Sequence, residues 1–335
     1  MFLHSLVRAT GYGFLMTEPI LSGVTLDDVM RLAIEGILDH GDDIAPTKGE
    51  ARELTGVLIE LTNPRARLSR TETRGKPYSC LGELCWYLAK TNKLSFISYY
   101  VPVYEKYADG DEIFGGYGPR LFDWGGVDQI RNVISILRNK PQSRQAVVQL
   151  FDAHDLVGKH NDVPCTCTLQ FMIRRDKLLM FVNMRSNDAY WGLPHDVFCF
   201  TMLQEIVARA LAVELGTYKH AVGSLHLYEK SIKAAQQFLD EGWQPTNVSM
   251  PQMPVGDPWP SIALLLEAES DIRIKGQFDN TRLAGVDSYW ADLVHLLQVY
   301  RCKKEKDPKA IEALRRNMSS EVYDPFIQKV LGKFS

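Results

Sequence analysis

Apolar positions recur at helical spacing from residue 25 to residue 40, where Leu26, Val29, Leu32, Ile37 and Leu38 fall roughly on one stripe. The next stretch, 41–53, is polar and reads as a loop, and the apolar run at 57–61 reads as a strand. Helical spacing returns at 79–90, with Leu81, Leu84, Tyr87 and Leu88 on one side, and again at 127–137. Between those two, 109–119 is rich in glycine and aromatic residues, which predicts an ordered loop.

The middle of the chain changes character. Stretches 145–151, 167–174 and 178–184 read as strands, the last two joined as a hairpin by Arg175, Asp176 and Lys177. A long helix is predicted from 196 to 215. Phe200, Leu203, Val207 and Ala210 form its stripe, and Gly216 stands where a helix would stop. Residues 220–226 read as a further strand, and the prolines of 245–260 as a loop or sheet edge. Helical patterns close the chain at 287–299 and 308–318. Neither a repeat nor a low-complexity linker interrupts this order. The pattern predicts an α+β fold, a mixed twisted sheet flanked by helices. Its expected divisions are an N-terminal extension over 1–25, a catalytic domain over 26–285 and a helical C-terminal extension over 286–335.

Composition narrows the function classes. The chain has 335 residues, 45% hydrophobic and 24% charged, which is ordinary for a globular protein that buries a large core unaided. A formal net charge of -3 gives no expectation of bulk nucleic-acid binding. The six cysteines show no staple-like spacing, and His4, Arg8 and several glycines break up any signal-peptide core. The expectation is a cytoplasmic protein with reduced thiols. No run approaches the ~20 apolar residues of a membrane span. No paired ligand spacing points to a metal.

Candidate chemistry begins at Pro164-Cys165-Thr166-Cys167. Taken alone, a cysteine before a strand is more often a small buried residue than a nucleophile. The surrounding order changes that reading. Glu83-Leu84-Cys85-Trp86 and Gly116-Tyr117-Gly118 lie upstream. Arg185-Ser186-Asn187-Asp188, Gly192-Leu193-Pro194-His195-Asp196 and Gly223-Ser224-Leu225-His226-Leu227-Tyr228 follow. In order and spacing this set resembles the thymidylate synthase family over about residues 37–231.

The resemblance implies a thymidylate synthase-like fold and covalent catalysis on a pyrimidine nucleotide. C5 of the ring is too weak a nucleophile to take up a one-carbon unit unaided. Addition of the Cys165 thiolate at C6 turns the ring into a carbanion equivalent, splitting one hard step into two. The thiol must ionise, and Arg185 is the cation that would favour this. By the same resemblance Arg185, Ser186, Arg52 and Arg144 would hold the phosphate, because arginine suits multidentate phosphate recognition. Arg144 comes from the partner subunit in this family, so a homodimer with shared active sites is expected. Gln145 stands where the family usually has a second arginine. Glu83 would order the water that moves protons, with Tyr117 in the same role. His226 and Tyr228 would bind the sugar. Asp188, Gly192, Trp86 and Tyr104 would face 5,10-methylenetetrahydrofolate.

Bland readings stand beside several of these. Glu83 could sit on a helix surface at the core's edge, Arg52 could be a solvated surface arginine, and His226 and Tyr228 share one strand face simply by spacing. Asp196 could cap the helix that follows it.

Asp196 is also the main departure from the uracil-specific enzymes, which carry asparagine there. A carboxyl can accept from cytosine N4 and share a proton with N3. Thr166 replaces the histidine that usually follows the nucleophile, Tyr104 and Tyr107 align with usual tryptophans, and the chain ends in a helical extension. Each change suits a site open to water. The resemblance therefore implies conversion of dCMP to 5-hydroxymethyl-dCMP. Alternatives are a dCMP methyltransferase, a CMP hydroxymethylase, a thymidylate synthase, or a non-catalytic nucleotide- or RNA-binding relative. The last would need neither Cys165 nor Glu83, and Ser186 matches the deoxy-type enzymes.

Overall fold

The structure, a computed structural model, describes residues 20–334. Seven strands form one sheet: β1 (Ile20–Gly23), β2 (Asp42–Ile44), β3 (Ala51–Leu61), β4 (Val147–Gln149), β5 (Thr166–Arg174), β6 (Lys177–Asp188) and β7 (Glu214–Tyr228). Their order is β1-β3-β7-β6-β5-β4, with β2 also paired to β3. β1 with β3 and β6 with β7 are parallel, and the remaining pairs are antiparallel, so the sheet is mixed. The helices are α1 (Leu26–His40), α2 (Pro77–Leu88), α3 (Leu94–Tyr100), α4 (Tyr117–Phe122), α5 (Gln129–Asn139) and α6 (Leu193–Ala210). After them come α7 (Ile232–Asp240), α8 (Trp259–Ser270), α9 (Ser288–Glu305), α10 (Pro308–Arg316) and α11 (Asp324–Leu331).

Local sequence explains the elements that place the site. Arg175 and Asp176, at φ 51° and 57°, form the two-residue turn between β5 and β6. Positive φ at both positions matches the right-handed twist of the strands. Lys177 already pairs with Arg174, so the turn is one residue shorter than expected. Parallel strands need a crossover, and α6 supplies it between β6 and β7. Its apolar residues reach nearly all round, as a core helix requires. Buried Glu205 on α6 pairs with Arg65 at 2.8 Å and with buried Arg67, tying the segment after β3 to the helix.

Several sequence expectations change. The helix expected over 196–215 runs instead from Leu193 to Ala210, with Pro194 in its first turn. The chain turns at Ala212 (φ 55°), and Gly216 lies inside β7. A Cβ on Gly216 would stand 2.9 Å from the Leu178 carbonyl oxygen, so this glycine permits close strand approach and is no helix stop. The polar stretch 41–53 is β2 and the start of β3. Its backbone pairs with β7 from Ala51 opposite Tyr228 onward, and ladder bonds do not depend on apolar side chains. The glycine-rich loop ends earlier than expected, in α4. Helices α3, α7 and α8 fell outside the sequence expectation, α3 and α7 having fewer than ten residues each.

The expected N-terminal extension lies mostly outside the described residues, but residues 20–23 form β1 and belong to the sheet. The C-terminal helices pack on the core. The Tyr300 ring on α9 lies 6.1 Å from Tyr78 and 5.2 Å from Tyr100, and its hydroxyl donates to the Tyr99 carbonyl at 2.9 Å. Among the described residues no helix is long and apolar enough to cross a membrane.

Candidate active site

Four pieces of chain converge at one end of the sheet. The register of β5 on β6 sets Cys165, just before β5, beside Arg185: the Arg185 amide donates to the Cys165 carbonyl at 2.9 Å. The Arg185 guanidinium donates to the carbonyls of Pro164 (2.9 Å) and Val163 (3.1 Å) and lies 3.7 Å from the Cys165 sulfur. The sulfur sits in a cleft, reachable by solvent yet enclosed by protein on most sides. Burial is the largest influence and pushes the thiol up to about 11. Arg185 and Lys48 pull it down, and Asp162 and Asp196 add to the rise. The cation expected to activate Cys165 is thus in place, but burial outweighs it in the free protein.

Lys48 was not anticipated from sequence. Its ammonium lies 3.4 Å from Asp162, three residues before the nucleophile, and 3.9 Å from the centre of the Tyr107 ring. A lone lysine in a polar loop carries no signal of this in sequence.

Helix α2 contributes the opposite wall. Glu83 is buried, which disposes of the helix-surface reading. Its Oε1 accepts from Tyr87 at 3.0 Å and Tyr104 at 2.8 Å, and its Oε2 lies 2.6 Å from His195 Nδ1. Burial alone would raise this carboxyl. The hydrogen bond and charge of His195, with the two tyrosine hydroxyls, outweigh it and hold Glu83 below the usual range. For His195 burial also opposes charge, but Cys80 and Glu83 push the ring up to about 10.

The first turn of α6 brings His195 and Asp196 in together. Gly192 is the residue before the helix, its side chain cannot cap, and its carbonyl accepts from the amides of His195 and Asp196. Asp196 therefore lies inside the first turn and is not the cap. Its Oδ2 accepts from Asn187 Nδ2 at 2.6 Å. Burial and then the Glu83 charge raise Asp196 to about 7, against the lowering pull of Asn187 and His195. Both His195 and Asn187 lay inside quoted motifs with no role assigned to them.

Beyond Cys165, Thr166 is buried and donates from its amide (3.1 Å) and hydroxyl (2.9 Å) to the Tyr117 hydroxyl. Ser186 pairs with Ser224 and Asp188 with His226 across β6 and β7. Asp188 accepts from the amides of Tyr190 (2.8 Å) and Trp191 (2.9 Å), and burial raises its carboxyl. The rings of His226 and Tyr228 meet edge to face at 4.9 Å. Burial first, then Asp188, Tyr107 and Cys165, push Tyr228 up to about 12. Trp86 packs against Tyr104 at 5.5 Å, and its buried Nε1 finds no partner among the described residues.

Two predicted residues stay outside this cluster. Arg52 donates to the carbonyls of Leu38 (2.6 Å) and Gly41 (3.3 Å) and pairs with Asp43 at 3.3 Å, at the end of α1. Arg144 is exposed before β4, and its side chain makes no ion pair or hydrogen bond among the described residues. Among those residues, no cluster of three or more metal-ligating side chains forms.

Comparison with known proteins bears on the family of the chain. The family model described as thymidylate synthase matches residues 35–265. The chain is 30% identical over 207 residues to a protein named deoxyuridylate hydroxymethyltransferase, from Bacillus phage SP01. That match takes in 57% of this chain and 54% of the phage protein, so the chain spans about half of that relative's length.

The cleft makes a testable statement about the free thiol. Alkylating agents react with thiolate. Labelling of Cys165 by iodoacetamide, followed by mass spectrometry, is expected to be slow at about pH 7 and to climb roughly tenfold per pH unit toward about pH 11. Arg185→Ala should slow it further. A labelling midpoint below about pH 8 contradicts the burial argument.

Proposed function

The chain belongs to the thymidylate synthase family, and from that premise we propose that it is a one-carbon transferase converting dCMP to 5-hydroxymethyl-dCMP. The observation that carries the choice of base is Asp196, a carboxyl raised to about 7 within reach of the Cys165 cleft. Near neutrality such a group can carry one proton. Asn187 occupies one lone pair of Oδ2, leaving the rest of the carboxyl for the base. One oxygen accepts from cytosine N4, and the proton is shared with N3. Sharing that proton withdraws electrons from the ring and favours attack at C6.

The residues then divide the work. Cys165 adds to C6 as thiolate. The C5 proton leaves first, as the one-carbon carrier is released and the exocyclic methylene forms. Once water has added to that methylene, the electron pair pushed back into the ring expels the thiolate from C6 and restores the pyrimidine. Glu83, held ionised by three donors, is the group that accepts and returns protons through water. Arg185 and Ser186 bind phosphate, and His226 and Tyr228 hold the sugar. The phosphate dianion beside Arg185 meets a cation whose other donors are already fixed on the carbonyls of Val163 and Pro164. Arg144 completes the phosphate site from a second copy of the chain, which makes the enzyme a homodimer. Its exposed, unengaged side chain suits that role. Arg52 contributes to the same end of the site only if its bonds to Leu38, Gly41 and Asp43 are exchanged. The cytoplasm is the proposed compartment, which six free thiols suit.

Methylenetetrahydrofolate supplies the one-carbon unit. Trp86, Tyr104, Asp188 and Gly192 would hold it. The buried, unpartnered Nε1 of Trp86 and the half-exposed Trp191 ring give that wall both a free donor and a flat apolar surface. Water, added to the exocyclic methylene on C5, completes the hydroxymethyl group. The name of the phage relative favours hydroxymethylation. It also favours a second reading, with dUMP as substrate, which Asp196 opposes.

Two outcomes test this. Asp196→Asn should shift the kcat/KM ratio from dCMP toward dUMP by about 10- to 100-fold, since each mispaired buried group costs roughly 1–3 kcal/mol. A wild type that prefers dUMP contradicts the choice of base. For the dimer, mixing inactive Arg144→Ala chains with inactive Cys165→Ala chains should restore part of the activity. Mixed dimers that form and stay inactive rule out the shared site.

A further inference from the structure

His195 has no part in the reading above, yet it makes the shortest contact in the cleft to Glu83. The two groups come from different elements, α2 and the first turn of α6, and meet at 2.6 Å. The far ring nitrogen, Nε2, lies 3.3 Å from Ser79 Oγ. Glu83 spends its other oxygen on two tyrosine hydroxyls. Those hydroxyls are neutral donors, so among the described residues the imidazole is the sole positive partner that Glu83 contacts.

The next residue along α6 is Asp196. Two carboxyls that feel each other's charge in a desolvated cleft resist ionising together, so one of them keeps its proton to a higher pH than a free carboxyl would. Which of them keeps the proton depends on which has the better counter-charge. We propose that His195 is a positioning residue: it fixes Glu83 as the anion of the pair and thereby leaves the proton on Asp196, where the pyrimidine is read. The functional consequence rests on the cytosine reading; the link between His195 and the Asp196 proton does not.

Other groups around the pair leave this assignment intact. From α2, Cys80 and Tyr87 face it, and Tyr104 faces it from the turn after α3. From β6, Asn187 donates to Asp196 and Asp188 adds a second negative neighbour. Tyr117, Tyr218, Cys199 and Cys165 complete the surroundings from α4, β7, α6 and the start of β5. None of these is a permanent cation. Removing His195 therefore leaves burial as the dominant influence on Glu83, which then takes up the proton. Asp196 loses its nearest anion and ionises more readily. The sign is informative: if Glu83 stayed ionised without His195, loss of the nearby cation would instead raise Asp196.

The test uses ligand-free full-length protein with ¹³C-labelled aspartate carboxyls, Asp196 being identified by its absence in Asp196→Asn. The wild-type midpoint is expected near pH 7. In His195→Gln, which keeps a hydrogen-bond donor and removes the charge, it should fall by about one pH unit. Glu83→Gln should lower it as well, and it reads the same link should His195→Gln fail to fold. The double variant should titrate no lower than Glu83→Gln alone. An unchanged or raised midpoint in His195→Gln overturns the proposal. At about pH 7, the affinity ratio of dCMP to dUMP should also fall in His195→Gln. If the midpoint moves and that ratio does not, the role of His195 stands and the cytosine reading fails.

Discussion

Two carboxyl groups enclosed in one cleft set the conditions for everything else at this site. Glu83 and Asp196 influence each other's ionisation, and burial raises the cost of a second negative charge steeply. The protein divides them by unequal partners. Glu83 takes three donors, one of them a charged ring, and stays below the usual carboxylate range. Among the described residues Asp196 takes one donor, Asn187, and rises to about 7. One carboxyl thereby rests as the anion, and the other holds a proton near neutrality. Both states suit the proposed chemistry, in which a thiolate adds to a cytosine ring.

Backbone topology delivers this division. Helix α6 crosses over from β6 to its parallel neighbour β7, so its first turn opens directly above the end of β6. That places Asp196 against Asn187 and His195 against α2. The tight turn at Arg175 and Asp176 fixes β5 on β6, and that register sets the Cys165 sulfur 3.7 Å from Arg185. The distribution of charge therefore follows from strand register and crossover geometry rather than from any flexible segment.

Much of this was legible in the sequence, for physical reasons. Long periodic elements such as α1, α5 and the β5–β6 hairpin follow from side-chain spacing, because their buried faces are continuous. Cys165, Arg185 and Asp188 follow from their motifs. What escaped was set by partners distant in sequence. The polar start of β3 is a strand because β7 pairs with it. Gly216 looked like a helix stop because close strand approach and a helix end ask for the same residue. The cap alternative for Asp196 stayed open because the helix start could not be placed to within three residues. His195 lay inside a motif but nothing local gave it a role, and Lys48 had no signal at all. Their importance lies in contacts with Glu83, 112 residues away, and with Asp162, 114 residues away.

The account's central claim is that this cleft adds a hydroxymethyl group to a cytosine nucleotide. The most direct measurement is the mass of the product when the protein turns over dCMP with methylenetetrahydrofolate in oxygen-18 water. The account predicts 5-hydroxymethyl-dCMP carrying solvent oxygen, with no dihydrofolate formed. A methylated, unlabelled product accompanied by stoichiometric dihydrofolate contradicts it.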